Sequence, residues 1–199
     1  MQASHRQEIF SWLHDTDPSS LHHNAQKVYE PGTADWIFRT SEWKAWFNGD
    51  QRFLWIHGIP GAGKTVLISH VIEHANRLLD NERHFNKVQN SQEITPEGQS
   101  IVIYYYCYYG HSQDEAIPFL KWLIARLCRQ RDCIPEFLQN LYTQHTEPNS
   151  SDYLRALEYS LEHYKVAYVF VDAVDESDQR HNLLRVLQDL AGDPRFQRI

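Results

Sequence analysis

The sequence predicts an α/β fold with a mainly parallel sheet, and two observations support this prediction. Residues 101–107 and 166–171 are apolar, rich in β-branched and aromatic side chains, and of strand length, as expected for strands covered on both faces. The segments between and after them repeat apolar residues at helical spacing. Strands that alternate with helices pair in parallel, because each helix returns the chain to the same end of the sheet.

The first 50 residues predict a short helical segment that packs on this α/β core. Apolar residues at positions 9–13 indicate an amphipathic helix, and the polar run 15–20 follows it as a break. A second short helix is predicted over 41–47, where three aromatic side chains share one face. We therefore divide the chain into an N-terminal segment, residues 1–50, and a core, residues 51–199.

The core elements follow from the same two periodicities. Residues 53–57 are apolar and precede a Gly/Pro loop, which predicts a short buried strand. Residues 80–100 are polar and predict a long surface loop. The predicted helices cover residues 64–79, 114–130, 134–143, 151–164 and 180–190.

Composition limits the classes of function. Hydrophobic residues make up 42% of the 199 residues and aromatic residues 13%, which is enough for the packed core of one domain. The 19 basic and 26 acidic side chains give a net charge of −7, which argues against a general binder of nucleic acid or anionic membranes. No apolar stretch reaches the roughly 20 residues of a membrane helix, and the N-terminus lacks the apolar core of a signal peptide. We expect a cytoplasmic protein whose three cysteines are free thiols.

A glycine-rich loop at residues 58–65 matches the pattern G-x-x-x-x-G-K-[ST] at every fixed position, between a predicted strand and a predicted helix. Glycines allow a tight loop whose backbone N–H groups point at phosphate oxygens, and the helix N-terminus adds its positive dipole end. Lys64 is placed to reach the β- and γ-phosphates, and the Thr65 hydroxyl is placed to hold Mg²⁺. The predicted nucleotide-binding residues are Gly58, Ile59, Pro60, Gly61, Ala62, Gly63, Lys64, Thr65 and Val66.

Acidic residues follow the second long strand. Asp172 ends the apolar run 166–171, and ligands of open α/β sheets bind at the carboxyl ends of strands. Together with the phosphate loop, this position predicts that Asp172 binds Mg²⁺ opposite Thr65. Asp175 and Glu176 come three and four residues later. Either can position or deprotonate the water that attacks the γ-phosphate, and Glu176 is the preferred candidate.

The phosphate loop and residues 169–176 together resemble a known family. They are similar to NACHT-type NTPases of the STAND class, and in particular to the nephrocystin-3-like N-terminal domain that is common in fungal NLR-like proteins. The likeness extends over nearly the whole chain. It includes the upstream residues 31–33, the tryptophans Trp12, Trp36 and Trp46, and the segment 104–115.

The resemblance implies a three-layer P-loop NTPase fold and a nucleotide-controlled switch. Members of the family bind ATP or GTP with Mg²⁺, hydrolyse it slowly, and form homo-oligomers or bind partner NLR-like chains. They usually carry an effector domain and repeats such as ankyrin or WD40. This sequence departs from the family pattern in three ways. Ala34 and Asp35 stand where a Gly-Glu pair is usual, residues 80–100 are longer than usual, and the chain ends where a strand with a sensor residue is expected to begin. We therefore expect an incomplete sheet in a truncated chain.

Other functions stay open at the level of sequence. Without the sensor strand, the chain also suits a non-hydrolysing interaction scaffold or an inactive fragment of a longer NACHT protein. A small-molecule kinase is a weaker alternative, because the mixed segment 177–180 lacks a basic lid. His22 and His23, with His14 or His5, have no Cys or carboxylate partners at ligand spacing, so we predict surface histidines rather than a metal site.

Overall fold

The computed structural model describes residues 3–14, 16–89, 98–108, 110, 113–144, 147–178 and 180–199. The helices in these ranges are α1 (Ala3–Leu13), α2 (Ser19–Lys27), α3 (Ser41–Phe47), α4 (Lys64–Gln89), α5 (Ala116–Arg131), α6 (Glu136–Thr143), α7 (Ser150–Leu161) and α8 (Arg180–Gly192). The strands are β1 (Gln99–Tyr106) and β2 (Tyr164–Asp172), and 3₁₀ turns cover Asp35–Arg39, Val174–Glu176 and Pro194–Phe196. None of the described helices is both long enough and apolar enough to span a membrane.

The two strands pair in parallel and end at the same edge of the sheet. The register places Val102 opposite Tyr168 and Tyr106 opposite Asp172. Directly after the last pair, the backbone N–H of Cys107 donates to the carbonyl oxygen of Asp172 at 3.0 Å. The predicted parallel pairing is confirmed. Its consequence is that the loops that follow β1 and β2 begin side by side.

The side chains of β1 alternate between two hydrophobic cores. Ile101, Ile103 and Tyr105 lie in the first core, which is formed with α1, α5, α6, α7 and α8. Val102 and Tyr106 lie in the second core, which is formed with α3 and α4. Because successive strand residues face opposite sides, helices cover both faces of the two-stranded sheet. Both strands and the four helices α5 to α8 lie where the sequence predicts them.

The N-terminal segment is helical, with one helix more than the sequence predicts. α1 buries Ile9 and Leu13, and α3 buries Trp43, so both predicted helices are confirmed. α2 begins inside the polar run 15–20, whose first residue lies outside the described part of the chain. The N–H of Ser19 donates to the Asp17 carboxylate at 2.9 Å, and this local bond lets a helix start where a break was expected.

Residues 53–57 have no regular secondary structure and are not a strand, which corrects the prediction. Within the described ranges, the sheet consists of β1 and β2 alone. Leu54 and Ile56 pack on the second core, whereas Phe53 and Trp55 are 47% and 52% exposed and stack on each other. The apolar composition suits a strand, but a strand also requires a neighbour that accepts its hydrogen bonds.

Helix α4 occupies half of the region predicted as a surface loop over 80–100, which corrects a second prediction. The helix continues to Gln89, and residues 90–97 lie outside the described part of the chain. Residues 80–85 of this helix face solvent, with Arg83 partly buried, so polar side chains suit these positions. There the Arg83 guanidinium donates to the carbonyl oxygen of Ser100 at 2.7 Å. The polar composition therefore marked a solvent-facing helix instead of a loop.

Candidate functional site

The glycine-rich loop turns sharply into α4. Gly61 and Gly63 have φ angles of 78° and 77°, in the left-handed region that a residue with a Cβ enters only at a cost. The N–H of Ala62 donates to the carbonyl oxygen of Ile59 at 3.2 Å and closes the turn. Because α4 begins at Lys64, the first N–H groups of the helix, which have no acceptor within it, lie at the end of this loop.

The Lys64 ammonium group is held over the loop. Its Nζ donates to the carbonyl oxygens of Gly58 at 3.0 Å and Ile59 at 3.1 Å. The side chain therefore folds back across the loop and does not extend into solvent. Its positive charge lies close enough to Asp172 to lower the pKa of that carboxyl group.

Thr65 and Asp172 meet at the carboxyl edge of the sheet. The Thr65 side chain and the backbone N–H of Ala173 lie close enough to the Asp172 carboxylate to lower its pKa. The pKa of Asp172 is raised, chiefly because burial disfavours its charged form. The charge of Glu176 raises it further, and these two effects outweigh the lowering by Thr65, Ala173 and Lys64. The structure thus brings together Lys64, Thr65, Asp172 and Glu176, which the sequence predicts to share one site.

The acidic turn, residues 173–178, follows β2 directly. Ala173 has a φ of 56°, and the N–H of Glu176 donates to the carbonyl oxygen of Ala173 at 2.8 Å. Asp175 and Glu176 are both exposed. Glu176 is close enough to raise the pKa of Asp172, which places the preferred candidate for water activation beside the candidate metal ligand.

Two residues that the sequence reasoning missed lie against the acidic turn. Glu115 is 1% exposed and stands at the start of α5. The Cys107 thiol is buried, and burial raises its pKa. Four carboxylates raise that pKa further, those of Glu115, Asp172, Glu176 and Asp175. Both residues follow β1 in the chain. Because parallel strands end at the same edge of a sheet, their position after β1 could have predicted that they lie near the candidate site.

The Thr65 and Asp172 side chains suit a magnesium ion. Mg²⁺ prefers oxygen ligands and is usually held by one or two carboxylates together with substrate phosphates and water. The hydroxyl and the carboxylate supply two such oxygens close to each other. The charge of the partly buried Asp172 would gain from a nearby cation. In the described part of the chain, no group of three or more His, Cys, Asp or Glu side chains is arranged to hold a metal ion.

His22 is a core residue, which corrects its prediction as a surface histidine. It is 6% exposed and its ring stacks on Tyr104 with centroids 4.3 Å apart. Its Nδ1 is hydrogen-bonded to the Tyr106 hydroxyl at 2.9 Å, and its Nε2 lies 3.1 Å from a Glu73 carboxylate oxygen. These contacts fix α2 to β1 and α4. The neighbouring His23 is exposed, as predicted.

A family model described as nephrocystin 3, N-terminal, matches residues 32–198 of the chain. The matched span contains the glycine-rich loop, both strands and the acidic turn. No curated protein and no solved structure matches the chain.

Proposed function

The chain belongs to the nephrocystin 3 N-terminal family, and from this premise we propose that it is a nucleoside-triphosphate-binding switch module. It takes ATP or GTP together with Mg²⁺ and hydrolyses the nucleotide slowly. We further assign it to the NACHT-type P-loop NTPases of the STAND class, with a three-layer core, in a cytoplasmic NLR-like signalling protein. Its partners are then further copies of itself or other NLR-like chains.

One observation supports this function most directly. Thr65 and Lys64 both lie close enough to the Asp172 carboxylate to lower its pKa. Thr65 stands at the start of α4 and Asp172 at the end of β2, so the two residues are far apart in sequence. If the Lys-Thr pair matched the motif by chance, nothing would predict that it lies beside a carboxylate at the end of a strand.

Each part of the site has a defined task. The backbone N–H groups of residues 58–66, other than Pro60, bind phosphate oxygens, and Lys64 neutralises the β- and γ-phosphates. Thr65 and Asp172 hold Mg²⁺, which supplies positive charge against the phosphate charge when it is bound. Glu176, or Asp175 in its place, orients the attacking water.

The reaction is hydrolysis at the γ-phosphorus. The water oxygen bonds to that phosphorus while the bond to the β–γ bridging oxygen breaks, which yields a nucleoside diphosphate and inorganic phosphate. The Glu176 carboxylate accepts a hydrogen bond from the water and receives the proton that it loses. Positioning and electrostatic stabilisation are the main contributions of a protein to this chemistry, and the loop and Lys64 provide both.

Nucleotide binding by the purified chain tests the function. Fluorescent ATP and GTP analogues are titrated with Mg²⁺ into the parent chain, Lys64→Ala and Lys44→Ala. We expect saturable binding by the parent and a loss of about 10- to 100-fold or more in Lys64→Ala, because a charged hydrogen-bond donor contributes about 1.5–3 kcal/mol. Lys44 is exposed on α3, so its variant is the matched control and keeps the parent affinity. Equal binding by Lys64→Ala would exclude the loop as the nucleotide site.

An interaction scaffold is the second candidate function. The exposed aromatic pair Phe53 and Trp55 lies on a segment that no described strand covers, and exposed aromatic surface of this kind favours a partner-binding role. Release of inorganic phosphate without an added acceptor supports the NTPase. Binding without release supports the non-hydrolysing scaffold, and transfer to an added acceptor supports a small-molecule kinase.

A further inference from the structure

The segment after β1 and the acidic turn after β2 are joined by backbone hydrogen bonds. Asp114 and Asp178 form a parallel β-bridge, and the N–H of Asp178 donates to the carbonyl oxygen of Gln113 at 3.0 Å. The Asn182 amide of α8 donates to the Asp114 carboxylate at 2.5 Å. The end of the acidic turn is therefore attached to the segment that leads into α5.

Ser177 provides the side-chain part of this connection. It is 6% exposed and directly follows Glu176 in the chain. Its hydroxyl accepts the N–H of Glu115 at 3.2 Å and donates to the carbonyl oxygen of Asp178 at 3.0 Å. Because the hydroxyl is buried, water cannot readily replace either bond when the side chain is shortened.

Glu115, the residue to which Ser177 is attached, is itself firmly held. Its carboxylate accepts the hydroxyl of Tyr105, a fully buried residue of β1, and the Gln113 amide at 3.3 Å. The Ser177 hydroxyl therefore bonds to a backbone position that is fixed to the sheet. The acidic turn is not favoured by local backbone preference, because its first residue, Ala173, has a φ in the left-handed region, which costs energy for a residue with a Cβ.

Resting on the proposed function, we propose that Ser177 is a positioning residue that holds the Glu176 carboxylate beside Asp172 by anchoring the acidic turn to Glu115. The groups that bind phosphate, the loop and Lys64, belong to α4 and its N-terminal approach and do not depend on this anchor. Loss of the anchor therefore affects turnover and leaves nucleotide affinity in place. Ser177 does not touch the nucleotide in this role.

The test compares three serine variants in the full chain. Ser177→Ala removes the hydroxyl, Ser177→Thr retains it, and Ser160→Ala removes a hydroxyl of the same 6% exposure from α7, where it bonds to the Ala156 carbonyl oxygen at 2.8 Å. We expect kcat for phosphate release to fall about 10- to 100-fold in Ser177→Ala, since a small misplacement of a catalytic group has effects of this size. KM and the affinity for the fluorescent nucleotide stay within about twofold of the parent values. Ser177→Thr and Ser160→Ala keep most of the parent kcat.

Hydrogen exchange measured by mass spectrometry provides a readout that does not depend on activity. In Ser177→Ala the amides of residues 174–178 exchange at least about tenfold faster, because the bonds that protect them belong to the anchored turn. Peptides that cover residues 58–66 exchange as in the parent chain. Ser160→Ala leaves both regions unchanged.

Two outcomes would overturn the role of Ser177. The first is an unchanged kcat in Ser177→Ala. The second is a fall in kcat together with weaker nucleotide binding and faster exchange throughout the chain. Failure of the proposed function has a different signature, because the parent chain itself then either shows no binding that Lys64→Ala removes or binds nucleotide and releases no phosphate. In that case the role of Ser177 fails as well.

Discussion

Removing the Tyr105 hydroxyl tests how strongly the anchor at Glu115 is held. Tyr105 is fully buried in β1, and its hydroxyl donates to the Glu115 carboxylate. In Tyr105→Phe the ring is retained, so its edge-to-face contact with Phe119, with centroids 5.5 Å apart, is preserved. The substitution therefore removes the hydrogen bond to the buried Glu115 carboxylate, together with a longer one, at 3.4 Å, between the Tyr105 and Thr16 hydroxyls.

The size of the effect follows from the surroundings of Glu115. A hydrogen bond to a charged group contributes about 1.5–3 kcal/mol. The Gln113 amide, at 3.3 Å, remains as a donor, but Glu115 is only 1% exposed, so water cannot take the place of the hydroxyl. We expect the free energy of unfolding to fall by about 2 kcal/mol, which lowers Tm by about 4–8 °C in a chain of this size.

Urea unfolding followed by tryptophan fluorescence measures this loss. Tyr105→Phe, Glu115→Gln and the double variant form a cycle whose coupling energy isolates the bond. Tyr142→Phe, at a partly exposed position, is the control and changes stability by less than about 0.5 kcal/mol. A loss below about 0.5 kcal/mol in Tyr105→Phe, or a coupling energy of zero, would refute the reasoning.

Two further predictions concern turnover and pH. We expect Glu176→Gln to bind nucleotide like the parent and to release phosphate at least about 100-fold more slowly, because general-base catalysis has at least this effect. Hydrolysis at the parent rate would exclude Glu176 from water activation. Burial lowers the pKa of His74, and the charges of Arg77 and His70 act in the same direction. The unfolded chain then binds the proton more readily than the folded one, so stability falls as the pH drops below 6.5 and the loss levels off below the folded-state pKa. Thermal unfolding measured between about pH 8 and 5 should show a smaller fall in Tm with acidification in His74→Gln than in the parent. His23→Gln, at an exposed position, is the control and should follow the parent. Identical pH dependence in the parent and both variants would exclude His74 as the source of the effect.

The loop that carries the candidate site was predictable because its geometry is local. Gly61 and Gly63 have the positive φ angles that a tight phosphate loop needs, and only residues close in sequence determine that turn. The strands over 101–107 and 166–171 were equally accessible, because composition alone indicates burial on both faces. The resemblance to the nephrocystin-3-like N-terminal domain, which rested on these motifs, is confirmed by the family match.

Elements whose state depends on a neighbour were predicted less well. Residues 53–57 have the composition of a buried strand, yet they pair with no described strand. The polar half of α4 has the composition of a loop, but the helix continues along the sheet to Gln89. His22 has no sequence signal for burial, and only its contacts with Tyr106 and Glu73 explain it.

The sequence by itself determined the family, the two main strands and the residues of the candidate site. The tertiary structure decided which of them meet. The approach of Thr65 to Asp172 and the hydrogen bond between Glu115 and Ser177 each join segments that are far apart in the chain. Such contacts depend on the register of β1 against β2 and on the packing of α4 and α5 around them. Local patterns report the conformation of a segment, whereas these contacts are set by the ends of two paired strands that the chain brings to one edge only when it folds.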